Sequence, residues 1–268
     1  MTWAWTVLTL EIRKTLSYRV DFWLGLLGNA LAELALAFFL WQTVFEFKGV
    51  DSLGGYSFHA LMYYYAVAPF VARAVRGYES YGVISQDIYD GSLTRYLIYP
   101  VSYYLYKFAI QMANVASTLV QLFVVTSLFL LCFGTPAGVT LSALGVSQAV
   151  LLIMVGCVLY FLLVSSLELV AFWADNVWSL IVMLRFISGF LGGVLIPLSL
   201  YPENLRRLID LTPFPYLISA PAHCFFSPLP QAEFLNTLRM LFVWLTICAV
   251  LNVFLWRRGL ARYTGVGM

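Results

Sequence analysis

Six stretches of this chain, approximately 23–45, 57–75, 105–133, 142–166, 177–198 and 236–256, run for about twenty residues each with charge almost absent. About twenty apolar residues in a helix match the hydrocarbon thickness of a bilayer. Six such spans consume about 120 residues and leave short connections. Charge is scarce throughout: 15 basic and 13 acidic residues among 268 make 10%, where a soluble domain carries about 25%. That scarcity excludes a disordered chain, and four cysteines are too few for a disulfide-stapled secreted domain. A soluble enzyme would lack its charged surface. The reading is an all-α integral membrane protein, with 1–268 as a single transmembrane domain.

Charge placement sets the expected orientation. Arg13, Lys14 and Arg19 precede the first span; Arg73, Arg76, Arg95 and Lys107 fall around the second connection; Arg257, Arg258 and Arg262 follow the last span. Lys48, Arg206 and Arg207 sit on the other side. Basic residues collect in the cytoplasm, so six spans with both termini cytoplasmic are expected. Residues 1–20 read as an amphipathic helix in the headgroup layer: Trp5, Leu8, Ile12 and Leu16 recur at steps of three and four, with Glu11, Arg13, Lys14 and Arg19 off that stripe. Glu11, Arg13, Lys14, Arg19 and Asp21 interrupt any early apolar core, so no signal peptide is expected.

Two connections are long. Residues 76–104, expected in the cytoplasm, hold seven tyrosines. Within them QDIYDGSLTRYLIYPVS (86–102) suggests a short amphipathic helix with Leu93 and Leu97 on one side, stopped by Pro100. Such a helix suits a soluble partner or a lipid surface. Residues 199–235, expected outside, are too apolar for an open loop, while Pro202, Pro213, Pro215 and Pro221 forbid one continuous span. Short helices that dip into the outer leaflet and return reconcile the two.

Several chemistries are absent. No G-x-x-x-x-G-K-[ST] loop cradles a nucleotide, and no H-E-x-x-H motif occurs. His223 beside Cys224 offers too few ligands for a closed metal site. Cys132, Cys157 and Cys248 lie in apolar runs and read as buried free thiols. A net charge of +2 with scattered basic residues gives no nucleic-acid footprint. No catalytic, cofactor or metal residues are expected.

Two charges stand out at depth. Glu33 and Arg185 each lie roughly 14–16 Å along helices that start at the cytoplasmic face. They read either as an ion pair between the first and fifth spans, within one protomer or across a dimer, or as separate charges in a wet cavity. Arg185, Gly189 and Gly192 share one face, with Ser188 and Gly193 beside it; small residues at this spacing permit close helix packing, here expected at a subunit interface. Asp175 and Asn176 suit an N-cap, and Glu168 reads as a solvated acid.

The order of these features resembles the permease subunits of type-two ABC exporters. The resemblance covers nearly the whole chain: EIRKTLSYRVDFW near the start, GSLTRYLIYP in the loop, SGFLGGVLIPLSLYPENLRRLIDLTPFPYLISAP after the fifth span, and the tail RRGLARYTGVG. It implies a bacterial inner-membrane, multi-pass subunit without a nucleotide site, energised by a separate ABC ATPase dimer that carries the ATP. It also implies a second permease, a copy or a relative, and an extracellular hairpin of two re-entrant helices. On this reading the ATPase docks on the N-terminal helix and on Asp87, Tyr89, Asp90, Gly91, Ser92, Leu93 and Arg95. The first and fifth spans of two permeases then face each other around the pathway, making Glu33, Arg185, Gly189 and Gly192 interface or pathway residues. An apolar pathway fits an amphiphilic, lipidic or polymeric substrate. A membrane-embedded lipid-modifying enzyme is the alternative, and it would need clustered acids or histidines at one depth.

Overall fold

The computed structural model describes Thr6, Thr9, Leu10, Arg13 and residues 19–77 and 83–265. The expected interfacial helix over 1–20 therefore lies almost wholly outside the described residues, as do Tyr78 and Tyr81 of the tyrosine-rich connection. The described chain runs α1 (Arg19–Lys48), a hairpin of β1 (Ser52–Leu53) and β2 (Tyr56–Ser57), α2 (Phe58–Arg76), α3 (Val83–Tyr89), α4 (Leu93–Ile98), α5 (Tyr103–Phe133) and α6 (Ala143–Glu168). After a 3-10 turn at Leu169–Phe172 come α7 (Trp178–Leu191), α8 (Glu203–Ile209), a π turn at Pro215–Ser219, α9 (Ala220–His223) and α10 (Gln231–Leu260). The architecture is all-α apart from that hairpin, whose Gly54 and Gly55 both take positive φ and close the turn.

Among the described residues, four helical stretches are long and apolar enough to cross a membrane: Trp23–Lys48, Tyr103–Phe133, Ala143–Phe172 and Gln231–Leu260. The second and fifth expected spans are built differently. α2 has 19 residues, about 28 Å of helix, and is buried almost all round by α1, α5, α6 and the 215–223 segment. A helix that meets protein on every side needs small residues for close approach and partners for its polar tips. Five alanines and a run of three tyrosines supply both. Tyr63 donates to the Phe225 carbonyl (3.2 Å), Tyr64 to Gly193 (2.8 Å) and Tyr65 to Leu195 (2.8 Å). Three phenols thus bind the segment that follows α7 to the central helix.

The fifth span, expected over 177–198, is helical for 14 residues, about 21 Å, against roughly 30 Å of hydrocarbon. It stops at Gly192 and Gly193. Gly193 takes φ +87°, and the N–H groups of Val194 and Leu195 both donate to the Gly189 carbonyl (2.9 and 3.2 Å). The turned chain then packs against the helix it left: a Cβ at Gly192 would lie 2.7 Å from Ile218 Cδ1. The 199–235 connection is a set of short helical pieces, as its prolines require. It ends five residues earlier than expected, because α10 already begins at Gln231.

α6 and α10 are joined by a polar knot. Asn252 Nδ2 donates to the Leu162 carbonyl (2.8 Å) and Ser166 Oγ (2.7 Å), while Oδ1 accepts from Ser165 Oγ (2.8 Å) and Tyr104 Oη (3.3 Å). An amide in an apolar bundle is tolerated because its capacity is filled. The thiols depart from expectation in part: Cys157, Cys224 and Cys248 are buried, but Cys132 is exposed.

Candidate functional site: the loop clamp at the basic end

α3 and α4 lie at the end of the bundle that also holds Lys107, Arg257, Arg258 and Arg262. A second apolar core forms here, from Ile84, Ile88 and Leu93 against Tyr103, Leu169, Phe172, Val177 and Ile181. Gly91, at φ +70°, turns the chain between the two short helices. Three polar anchors fix this loop to three different helix ends.

The first is Asp87. Its Oδ2 pairs with Lys107 Nζ (2.6 Å) and accepts from Tyr103 Oη (2.6 Å); its Oδ1 accepts from Ser92 Oγ (3.0 Å). The Lys107 ammonium lies over the rings of Tyr96 (4.9 Å) and Tyr103 (5.4 Å), which replace lost water. Lys107 was expected to be a solvated, orientation-setting charge and is instead the buried counter-ion of the loop.

The second anchor is Glu168, at the end of α6. Contrary to the expected solvated acid it is only 2% exposed, and its Oε2 accepts from the Ile84 N–H (2.8 Å). Ile84 is in the first turn of α3, where backbone donors have no helical acceptor, so the carboxylate does the work of a cap. The third anchor is Tyr263, beyond α10: its hydroxyl donates to the Gly91 carbonyl (2.8 Å) and accepts from the Thr94 N–H (3.2 Å). Tyr89 adds a bond to the Ala174 carbonyl (2.9 Å), and burial pushes its phenol pKa up, keeping the donor proton in place.

The seven loop residues expected to face a motor therefore divide. Asp87, Tyr89, Ser92 and Leu93 point into the bundle, and Gly91 supplies the turn and a carbonyl. Asp90 and Arg95 are exposed. Leu93 and Leu97, one turn apart on α4, differ in burial: Leu93 is fully buried, whereas Leu97, Ile98 and Tyr99 stand in the open, Ile98 at 77%. Sequence reasoning missed Lys107, Tyr103, Glu168 and Tyr263 as loop residues. Their partners lie 16 to 172 positions away, beyond any local spacing.

The deep charges are also placed. Glu33 Oε1 is bonded to Arg73 Nη2 of α2 and not to Arg185, so the first-to-fifth-span pair does not form within the chain. Arg76 reaches across to the Arg185 carbonyl (3.4 Å), and the Arg185 side chain is exposed. Within the chain, Gly189 sits beside Arg76 Nη2 and Gly192 beside Ile218. Asn176 does serve the start of α7, its Oδ1 accepting from the Trp178 N–H (3.0 Å).

No curated protein compared with the chain matches it. The sequence family described as ABC-2 family transporter protein matches residues 31–267, a stretch that contains the loop clamp, the short seventh helix and the proline-broken segment after it. The chain thus belongs to the ABC-2 transporter family, as a multi-pass membrane permease subunit of an ABC transporter.

Proposed function

We propose that this permease works in an exporter of an amphiphilic, lipidic or polymeric substrate, driven by a separate ABC ATPase dimer docked on the exposed side of α3 and α4. The reading includes six membrane crossings with both termini in the cytoplasm of a bacterial inner membrane. α2 and α7 make two of these crossings, the latter completed by the re-entrant segment behind it. A second permease, a copy or a relative, packs along the first and fifth spans.

The loop clamp is the observation that carries the reading. A loop that only joined two spans would have no need of a buried ion pair, a carboxylate cap and a tyrosine pin, each from a different helix end. Such anchoring suits an element that receives a push and passes it to the bundle. Closure of the ATPases on ATP would then tilt several helix ends together, shifting the population between inward and outward states.

Co-purification of the chain with an ABC ATPase tests this. ATPase capture is expected to survive in the unaltered chain and to be lost in the Ile98→Asp and Arg95→Glu variants, whose side chains are exposed. If no ATPase associates, or if both variants capture it unchanged, the proposed docking face is wrong.

A further inference from the structure

We infer that His223 is a proton-sensitive latch at the end of the bundle opposite the loop clamp: neutral, it holds the Ser52–Ser57 hairpin and α8 closed, and protonated, it releases them. The inference goes beyond the proposed function, and no part of it depends on an ATPase.

The geometry comes first. Tyr56 of β2, Tyr64 of α2, His223 of α9 and Phe226 just beyond it form a cluster in which each ring lies against the other three, with centroids 5.7–6.3 Å apart. The Tyr56 and His223 rings are stacked at 23°, and the Tyr56 hydroxyl is 3.4 Å from Nε2. Burial pushes the Tyr56 phenol up to about 12, so it keeps its proton and donates to a neutral Nε2. The two sides of this contact are held unequally. Beyond His223 the chain is fixed: the Phe225 carbonyl accepts from Tyr63 (3.2 Å), the Phe226 carbonyl accepts from the Thr140 N–H (2.6 Å), and Leu229 exchanges two hydrogen bonds with Gln148. The hairpin has strands of only two residues and rests on Tyr56 and on Gly54, where a Cβ would lie 2.9 Å from Ser199 Oγ. α8 buries only Ile209.

The charges come second. Besides the three rings, the group that acts on His223 is Arg206 of α8, and among the described residues no carboxylate is paired with the imidazole. Burial and the Arg206 guanidinium hold its pKa below the ordinary value of about 6.5. A proton on Nε2 removes the lone pair that accepts from Tyr56, and it sets an imidazolium against Arg206 in a site that offers no counter-charge. His223 is also the partly open member of the four rings, which gives the proton a way in.

The direction of the pH effect follows. Above about pH 6.5 the imidazole is neutral in both forms and the latch is at full strength. Below that, the released form takes up the proton first, so closure weakens as the pH falls. Because the segment beyond His223 is fastened to α2 and α6, the parts that give way are the hairpin and α8.

The test measures amide hydrogen exchange by mass spectrometry on the purified full chain in nanodiscs, comparing the unaltered chain with H223Q at the same pH so that intrinsic exchange chemistry cancels. At pH 8 the two are expected to match. At pH 5.5 the hairpin and α8 of the unaltered chain are expected to exchange severalfold faster, with a ceiling of about tenfold set by an imidazole that titrates near 6.5 once released, while α6 exchanges alike in both. Equal rates at pH 5.5, a gap of the same size at pH 8, or equal acceleration in α6 would overturn the inference. A second measurement does not rely on the folding of H223Q. The chain has two histidines, so with carbon-13-labelled histidine the magnetic-resonance signal that survives H59Q belongs to His223. Its midpoint is expected below about 6.5 and is expected to rise in R206Q. A midpoint at or above that value, or one that R206Q leaves in place, overturns the latch. Neither readout involves an ATPase, so failure here is distinct from failure of the docking experiment.

Discussion

Asp87 and Lys107 show how much one buried pair can hold. Both are largely withdrawn from solvent, and the carboxylate also accepts from Tyr103 and Ser92. Removing one partner leaves an uncompensated charge, which costs about 3–5 kcal/mol in buried pairs. Asp87→Ala is therefore expected to lower stability by that order in chemical denaturation, and D87L–K107M to recover most of the loss, since two matched apolar side chains bury no charge. Additive losses would show that the two act independently. The pair was hidden from the sequence because Lys107 is sited where an orientation-setting charge belongs, and a span of twenty residues separates it from Asp87. The Arg73 partner of Glu33 was hidden for a related reason. Depth along two helices brought it level with Arg185, but depth says nothing of azimuth, and Arg73 on the intervening α2 reaches it instead.

At the scale of the element, α3 has seven residues and cannot hold a helix by its own hydrogen bonds. Its stability is tertiary, resting on Ile84 and Ile88 in the second core and on the Glu168 cap. Glu168→Ala is expected to speed amide hydrogen exchange at Ile84 and its neighbours by at least about tenfold, the equivalent of losing one charge-assisted bond, while exchange in α2 stays slow. Uniform acceleration across both helices would mean that Glu168 supports the whole bundle and not the loop. The helices themselves were legible wherever apolar length alone decides them: α1, α5, α6 and α10 each extend the expected stretch by a few residues at one or both ends. α7 was not, because Gly189, Gly192 and Gly193 fit two roles with the same letters. As a helix face they permit a close neighbour; as a terminus, positive φ at Gly193 stops the helix seven residues or so early. The hairpin at Ser52–Ser57 escaped notice because two-residue strands leave no alternation to read.

Across the whole molecule, burial is uneven in a way that separates inside from outside. α2 has little free surface, while α1 carries Leu31, Leu36 and Phe39 in the open, Leu36 at 73%, and α7 carries Trp178, Met183 and Phe186. If a second permease packs along the first and fifth spans, cysteines at Leu36 and Phe186 should form intermolecular disulfides under mild oxidation, in a chain whose exposed Cys132 is replaced by Ser. A cysteine at Leu251, exposed on α10, should not. Cross-linking at Leu251 and silence at both other positions would place the partner on the opposite side of the bundle. The membrane class was readable from charge scarcity, and the partition of loop residues into anchors and exposed contacts was not. That partition is set by contacts such as Gly91 to Tyr263, between parts of the chain far apart in sequence.

The pin from Tyr263 also has a bearing on biogenesis. The loop it fastens is synthesised with α3 and α4, after the second helix, yet Tyr263, which bonds it, follows Gly91 by 172 positions. Until then the loop's Gly91 carbonyl and Thr94 amide lack the hydroxyl that joins them. A product broken off before Tyr263 would insert its earlier helices with this loop unfastened, so the loop becomes firm only once synthesis has passed that residue.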